Sequence, residues 1–330
     1  MPNGDFDWCS ILSLGIINIL NDCIEPQLKC PNSNITFWLY TRQNQHNPYQ
    51  LLANDSNSMT LAPFVKNSPV KLLIHGYTGN RNRSPNKELR SAYFKCCDYN
   101  IISVDYNPLA SGRCYIQGAH NAKLVGMCIA QLVDELVQNH GFNLSLIHPI
   151  GFSLGGQIAG FIGNYLKSGR LYRITGLDPA LPMFWTFDDS KKLDAGDARF
   201  VDILHTNSFI RGKFESTGTI DFFANNGMIQ PGCSSTKAAG NLIKFIQAIA
   251  DFNTQSSCSH ARAVAYFAES INSKVGFHAM KCTTWIGYMV GLCGLLHSSR
   301  QDVLFGERVP LNARGLYFFS TNSKPPYAVD

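Results

Sequence analysis

Between Val70 and His205 the chain carries five short apolar runs, each bounded by turn-forming residues, and this series limits the folds open to it. They read VKLLIHG from Val70, NIISVDY from Asn100, LIHPIGFS from Leu146, YRITGLD from Tyr172 and ARFVDILH from Ala198. Runs this short and this continuously apolar suit parallel strands buried on both faces. Between the second and third, Val125, Ile129, Leu132 and Leu136 recur at the spacing of one helix face, and Gly141 supplies a C-terminal cap. A strand, a helix and a further strand make a βαβ unit. A series of them predicts an α/β fold with a mostly parallel central sheet covered by helices on both faces. Ligands of such sheets bind beyond the C-terminal strand ends. The strand-like GLYFFST from Gly315 closes the same domain. With no internal repeat, low-complexity tract or linker, residues 30–330 are expected to form one domain behind an N-terminal segment, 1–29.

Composition narrows the class further. Of the 330 residues, 45% are hydrophobic and 15% charged, which suffices for one large core. The formal charge of +5 comes from scattered Lys and Arg, which argues against a nucleic-acid groove. Eleven cysteines, none in a zinc-type spacing with histidine, point to disulfides in an oxidising compartment. Sequons at Asn34, Asn54, Asn82 and Asn143 agree with secretion. Ile11 to Leu20 is apolar enough for a signal core, but Asp5 and Asp7 precede it and the first basic residue is Lys29. A standard signal peptide is therefore not expected within the sequence, and an upstream segment is. No other apolar run approaches the roughly 20 residues that a membrane-spanning helix needs.

The chemistry centres on Gly151-Phe152-Ser153-Leu154-Gly155, which follows an apolar run and opens the helical stretch GGQIAGFIG. That is the context of the nucleophile elbow of α/β-hydrolase folds. A serine hydroxyl needs a histidine to take its proton, and the histidine needs a carboxylate to hold its tautomer; in this fold the chain order is serine, acid, histidine. Asp178 ends an apolar run where Pro179 stops strand pairing, and is the expected acid; Asp202, inside a strand run, is held in reserve. Of the downstream histidines, His260 stands after Cys258 at an expected loop-to-helix junction before ARAVAYFAESI and is the expected base. His205 ends a strand run and reads as a buried, hydrogen-bonded neighbour. Two backbone N–H groups must stabilise the oxyanion: that of Leu154, after the serine, and that of Tyr77 in HGYTG, after the first strand.

With these residues in place the sequence resembles the pancreatic lipase family, from about Cys30 to the C-terminus, and is most similar to its arthropod branch. The motifs that carry the likeness are KLLIHGYTGNR, IISVDY, HPIGFSLGGQIAGFIG, RITGLDPALPMF, DARFVDILHTN, DFFANNGMIQPGC and CSHARAVAYFAESI. The resemblance implies the α/β-hydrolase fold, and its GFSLG, GLDPA and CSH motifs imply the same triad of Ser153, Asp178 and His260. It implies a lid loop, 233–258, between Cys233 and Cys258, in which Leu242, Phe245, Ile246 and Ile249 share one helix face. It also implies a pair between Cys282 and Cys293. The other cysteines remain unassigned, with Cys9 as the odd one. A family calcium site would map to Asp189, Asp194 and Asp197; no other cofactor is expected. A C-terminal β-sandwich like the family's is not expected, and with it no colipase as partner. The expected partner is a lipid surface at an oil–water or membrane interface. The long lid points to triacylglycerol and the short loop between His205 and Asp221 to phospholipase A1 activity, with triacylglycerol preferred. A lipid-binding relative without catalysis is the remaining alternative.

Overall fold

A computed structural model describes residues 23–233, 242–293 and 302–329, with the helical backbone alone for 242–255. The readings on Ile11 to Leu20 and on Cys9 lie outside the described residues, as do the side chains of Leu242, Phe245, Ile246 and Ile249.

In chain order the elements are β1 (Thr36–Tyr40), β2 (Tyr49–Leu51), α1 (Ser56–Leu61), β3 (Val70–Ile74), α2 (Asn86–Cys96), β4 (Asn100–Asp105), α3 (Tyr115–His140) and β5 (Ile147–Phe152). There follow α4 (Leu154–Tyr165), β6 (Leu171–Leu177), β7 (Ala198–His205), β8 (Ile220–Ala224), α5 (Leu242–Asn272), β9 (Phe277–Cys282), α6 (Trp285–Met289), β10 (Val303–Phe305) and β11 (Gly315–Phe319). The strands form one sheet in the order β10-β9-β11-β8-β7-β6-β5-β3-β4-β1-β2. From β4 to β11 every neighbouring pair is parallel, and the antiparallel pairs lie at the two edges. This is the α/β-hydrolase arrangement.

The expected strands are those of the parallel centre. All five residues of β3 are buried, and successive ones face opposite layers: Val70, Leu72 and Ile74 meet α3 and α4, while Leu73 meets α2 and α5. The apolar stripe of α3, Val125, Ile129, Leu132 and Leu136, is fully buried. Gly141 ends that helix at φ 69° and returns its N–H to the Leu136 carbonyl. Among the described residues four disulfides tie the chain: Cys23–Cys114, Cys30–Cys128, Cys233–Cys258 and Cys282–Cys293. In a chain-entropy view, each closed loop of tens of residues contributes about 3–5 kcal/mol.

A buried polar ring crosses the sheet toward the N-terminal halves of β3, β5 and β6. Lys71 donates to Glu307 at 2.5 Å and to Nδ1 of His148 at 3.0 Å. His148 Nε2 lies 2.8 Å from the Thr175 hydroxyl, which bonds Asp202. Arg173 grips Asp202 at 2.7 and 2.9 Å and also donates to the Glu307 carbonyl. Two cations face two carboxylates, which is what lets charges stay buried. Asp202, held in reserve as the acid, is thus committed to an ion pair with Arg173.

Burial, then the charges of Lys71 and Arg173, push the His148 imidazole well below its ordinary 6.5. Between these values the unfolded chain binds the proton and the folded one does not, so stability falls as pH drops below about 6.5. Accordingly, the melting temperature should fall from about pH 7 to about pH 5, and more steeply in the wild type than in His148→Asn. Equal slopes in a calorimetric series would contradict this.

Candidate active site

Ser153 sits between β5 and α4 with φ 57° and ψ −120°, outside the ordinary range of a residue with a side chain. Backbone bonds hold it there: its N–H reaches the Leu177 carbonyl at 3.0 Å, and its own carbonyl accepts from Gly156 at 2.9 Å and Ala180 at 3.1 Å. The flanking glycines serve close approach. A Cβ on Gly151 would strike the Gly155 carbonyl, and one on Gly155 would strike the Ile74 carbonyl. Strand and helix meet at a distance that only these residues allow.

Asp178 follows β6 and is fully buried. Its Oδ1 accepts the N–H groups of Thr206 at 2.8 Å and Asn207 at 3.1 Å, and its Oδ2 accepts Nδ1–H of His260 at 2.5 Å. A carboxylate there fixes the imidazole tautomer, with the proton on Nδ1 and the Nε2 lone pair free to accept. The Phe152 ring lies 4.6 Å from that of His260, which sets the imidazole beside the elbow. The structure thereby brings Asp178 and His260 into direct contact, next to the residue before Ser153.

His260 is not at a loop-to-helix junction. It lies inside α5, which runs unbroken from Leu242 to Asn272 and includes the N-terminal half assigned to the lid. No glycine or proline interrupts this stretch. Tertiary bonds anchor it just before His260: Ser256 donates to Asn207 Oδ1 at 2.8 Å and accepts from Arg211 at 3.1 Å, and Cys258 is joined to Cys233.

The Tyr77 loop is fixed by His75. Nδ1–H of this buried ring donates to the Gly76 carbonyl at 2.7 Å, Nε2 accepts the Tyr106 N–H at 3.2 Å, and the Tyr106 ring stacks on it at 4.0 Å. A Cβ on Gly76 would lie 3.0 Å from that of Ser153, so the loop rests against the serine. Leu154 is the first residue of α4, where an N–H has no acceptor within the helix. Both expected oxyanion donors therefore belong to segments that touch Ser153. His205 has both ring nitrogens occupied, by the Lys213 carbonyl and by Asp221, each at 2.8 Å, in keeping with a structural role.

Asp189, Asp194 and Asp197, the residues of the calcium expectation, have protein partners. Among the described residues no group of three His, Cys, Asp or Glu side chains is placed to hold a metal ion. Asp189 pairs with Lys192 at 3.3 Å, and Asp197 accepts the Asp194 N–H at 2.9 Å. Burial, then the neighbouring charge of Asp194, pushes the Asp197 carboxyl up to about 8. No step of the chemistry is assigned to a metal.

Sequence reasoning named no role for Thr206, Asn207, Arg211, Gly212 or Ser256. Thr206 and Asn207 act through backbone N–H groups, which residue type does not advertise.

A family model described as Lipase matches residues 19–327. Inactive pancreatic lipase-related protein 1 of Homo sapiens is 32% identical over 263 residues, 78% of this chain and 56% of that protein. Pancreatic triacylglycerol lipase of Mus musculus is 32% identical over 307 residues, 89% and 65% respectively. Probable phospholipase A1 magnifin of Vespa magnifica is 35% identical over 269 residues, 77% and 74%. The chain thus spans somewhat over half the length of these mammalian relatives and about three quarters of the wasp protein.

Gly212 offers a test of the site. A Cβ there would collide with the Asp178 carboxylate, while the residue's backbone is not in the left-handed region. Gly212→Ala should lower the turnover of a soluble ester by about a hundredfold or more, because misplacing the acid disorients the imidazole. Turnover within a few-fold of wild type would show that the carboxylate position is not critical.

Proposed function

The chain belongs to the lipase family, and from that premise we propose that it is a secreted serine carboxylic-ester hydrolase acting on glycerolipids, with triacylglycerol its preferred substrate. Membership alone does not secure catalysis, since one relative is named inactive. The observation that carries the reading is the 2.5 Å bond from His260 to the fully buried Asp178, beside a serine held in the strained elbow.

Ser153 Oγ attacks the ester carbonyl carbon while its proton passes to Nε2 of His260, and Asp178 stabilises the imidazolium that forms. The carbonyl oxygen becomes an oxyanion that accepts the N–H groups of Tyr77 and Leu154. Collapse breaks the bond to the glyceride oxygen, which leaves with the His260 proton. His260 then takes a proton from water, the hydroxide attacks the acyl-enzyme, and the fatty acid departs as Ser153 recovers its hydrogen. Each donor of this kind contributes about 3–4 kcal/mol to the transition state in related chemistry.

Four disulfides and the exposed sequon residues Asn54, Asn82 and Asn143 support secretion. No described helix is long and apolar enough to cross a membrane. A second reading, phospholipase A1, is favoured by the short connection from β7 to β8 and by the resemblance to magnifin.

Emulsified triacylglycerol and phosphatidylcholine, offered side by side, distinguish these readings. Fatty-acid release from triacylglycerol should exceed that from phosphatidylcholine and drop by about 10⁴-fold or more in Ser153→Ala. Release chiefly from the sn-1 position of phosphatidylcholine would move the assignment to phospholipase A1. Equal inactivity of wild type and variant, with lipid binding kept, would leave a binding protein.

A further inference from the structure

Gln230 lies in the connection from β8 to α5, is buried, and has every polar group engaged. Its Nε2 donates to the Thr206 carbonyl at 3.0 Å and to the Ala224 carbonyl at 2.9 Å. Its Oε1 accepts from Asn225 Nδ2 at 2.8 Å and from the Tyr266 hydroxyl at 3.2 Å. Its backbone N–H donates to the Ser259 hydroxyl oxygen at 3.1 Å, and its carbonyl accepts from the Cys233 N–H at 3.0 Å. Backbone carbonyls can only accept, so turning the amide round would set oxygen against oxygen. A buried amide satisfied in this way is fixed in one orientation.

The groups it holds are those that assemble the site. The Thr206 carbonyl and the Asn207 N–H belong to one peptide unit, which is planar and rigid and points the two groups opposite ways. Holding the carbonyl therefore aims the N–H, and that N–H donates to Asp178 Oδ1 at 3.1 Å. On the other side, Ser259 immediately precedes His260, and Tyr266 lies about two turns further along α5. The Thr206 hydroxyl reaches across the same gap to the His260 carbonyl at 3.5 Å. One side chain thus ties the peptide that serves the acid to the helix that carries the base.

We propose that Gln230 is a positioning residue of the hydrolytic site. By gripping the Thr206 carbonyl it aims the Asn207 N–H at Asp178, and through Ser259 and Tyr266 it keeps His260 aligned with that carboxylate. The proposal rests on the serine-hydrolase reading above. Asn100 provides the contrast: it is equally buried and bonds Val65 and Ser68, but it stands at the start of β4, at the opposite strand ends from the site.

The test compares Gln230→Met, which keeps the side-chain length and loses both donors, with Asn100→Ala. In Gln230→Met, kcat for a soluble short-chain ester should fall about tenfold or more with KM within about twofold, because a misaimed acid impairs proton transfer rather than binding. The low-field proton resonance of His260 Nδ1–H, identified by its loss in His260→Ala, should shift. Asn100→Ala should lower the melting temperature and leave both kcat and the resonance as in wild type. Where Gln230→Met does not fold, Ser259→Ala replaces it, since alanine favours helix and the change removes only the acceptor of the Gln230 N–H. In that variant kcat should fall about threefold and the same resonance should move. An unmoved resonance, or kcat within about twofold of wild type, in a folded Gln230→Met overturns the proposal. So does an unmoved resonance in Ser259→Ala, or an equal displacement in Asn100→Ala, which would make Gln230 a brace of the fold alone. If the wild type itself does not hydrolyse the ester, the catalytic reading fails, while the resonance still decides whether Gln230 aligns Asp178 with His260.

Discussion

A carboxylate with no access to water has to be fully satisfied, and the arrangement around Asp178 follows from that demand. Thr206 and Asn207 turn their N–H groups to one oxygen and His260 gives its Nδ1–H to the other. To place those donors, the chain after β7 folds back over the end of β6, and Gly212 passes where no side chain fits. Asn207 then uses its own side chain to accept from Ser256 and so fixes α5 one turn before His260. Acid, loop and base are held as one unit, and displacing any of them leaves a buried polar atom without a partner, which costs about 1–3 kcal/mol.

The opposite end of the strands is governed by a second buried polar system with a different task. Lys71, Arg173, Asp202 and Glu307 neutralise one another, and Arg173 also holds the Gly306 and Glu307 carbonyls. This binds the C-terminal part of the chain to the central strands. The ring explains why Asp202 and His148, both polar residues in apolar runs, are structural. They complete a charge-balanced circuit in the sheet, whereas Asp178 lies just beyond a strand end, where a substrate can reach its partners.

Much of this was legible in the sequence because it depends on residue type at fixed spacing. The parallel strands announce themselves as apolar runs, and the elbow as glycines around a serine between strand and helix. The edge strands β1, β2, β9 and β10 were not recognised. They are short, antiparallel and only partly buried, so TFWLY and FHAMKC alternate without a continuous apolar signal. The fully buried β8, IDFFA, passed as part of a longer motif. The continuity of α5 through Ser256 to Ser259 was hidden for another reason. Ser256 and Ser259 make tertiary hydrogen bonds and Cys258 a disulfide, and these favour helix beyond what local propensity indicates. Backbone donors to Asp178 become visible only once the chain is folded.

The central claim is that Ser153 is a nucleophile activated by a histidine that Asp178 orients. Stoichiometric labelling with an alkyl nitrophenyl phosphonate tests it most directly, because the phosphonyl group stays on the serine that displaces nitrophenolate. The account predicts one equivalent of nitrophenolate per chain, a phosphonyl adduct located by peptide mass spectrometry on Ser153, and labelling about a thousandfold or more slower in Asp178→Asn. An adduct on another residue, or equal labelling rates in wild type and Asp178→Asn, would contradict it.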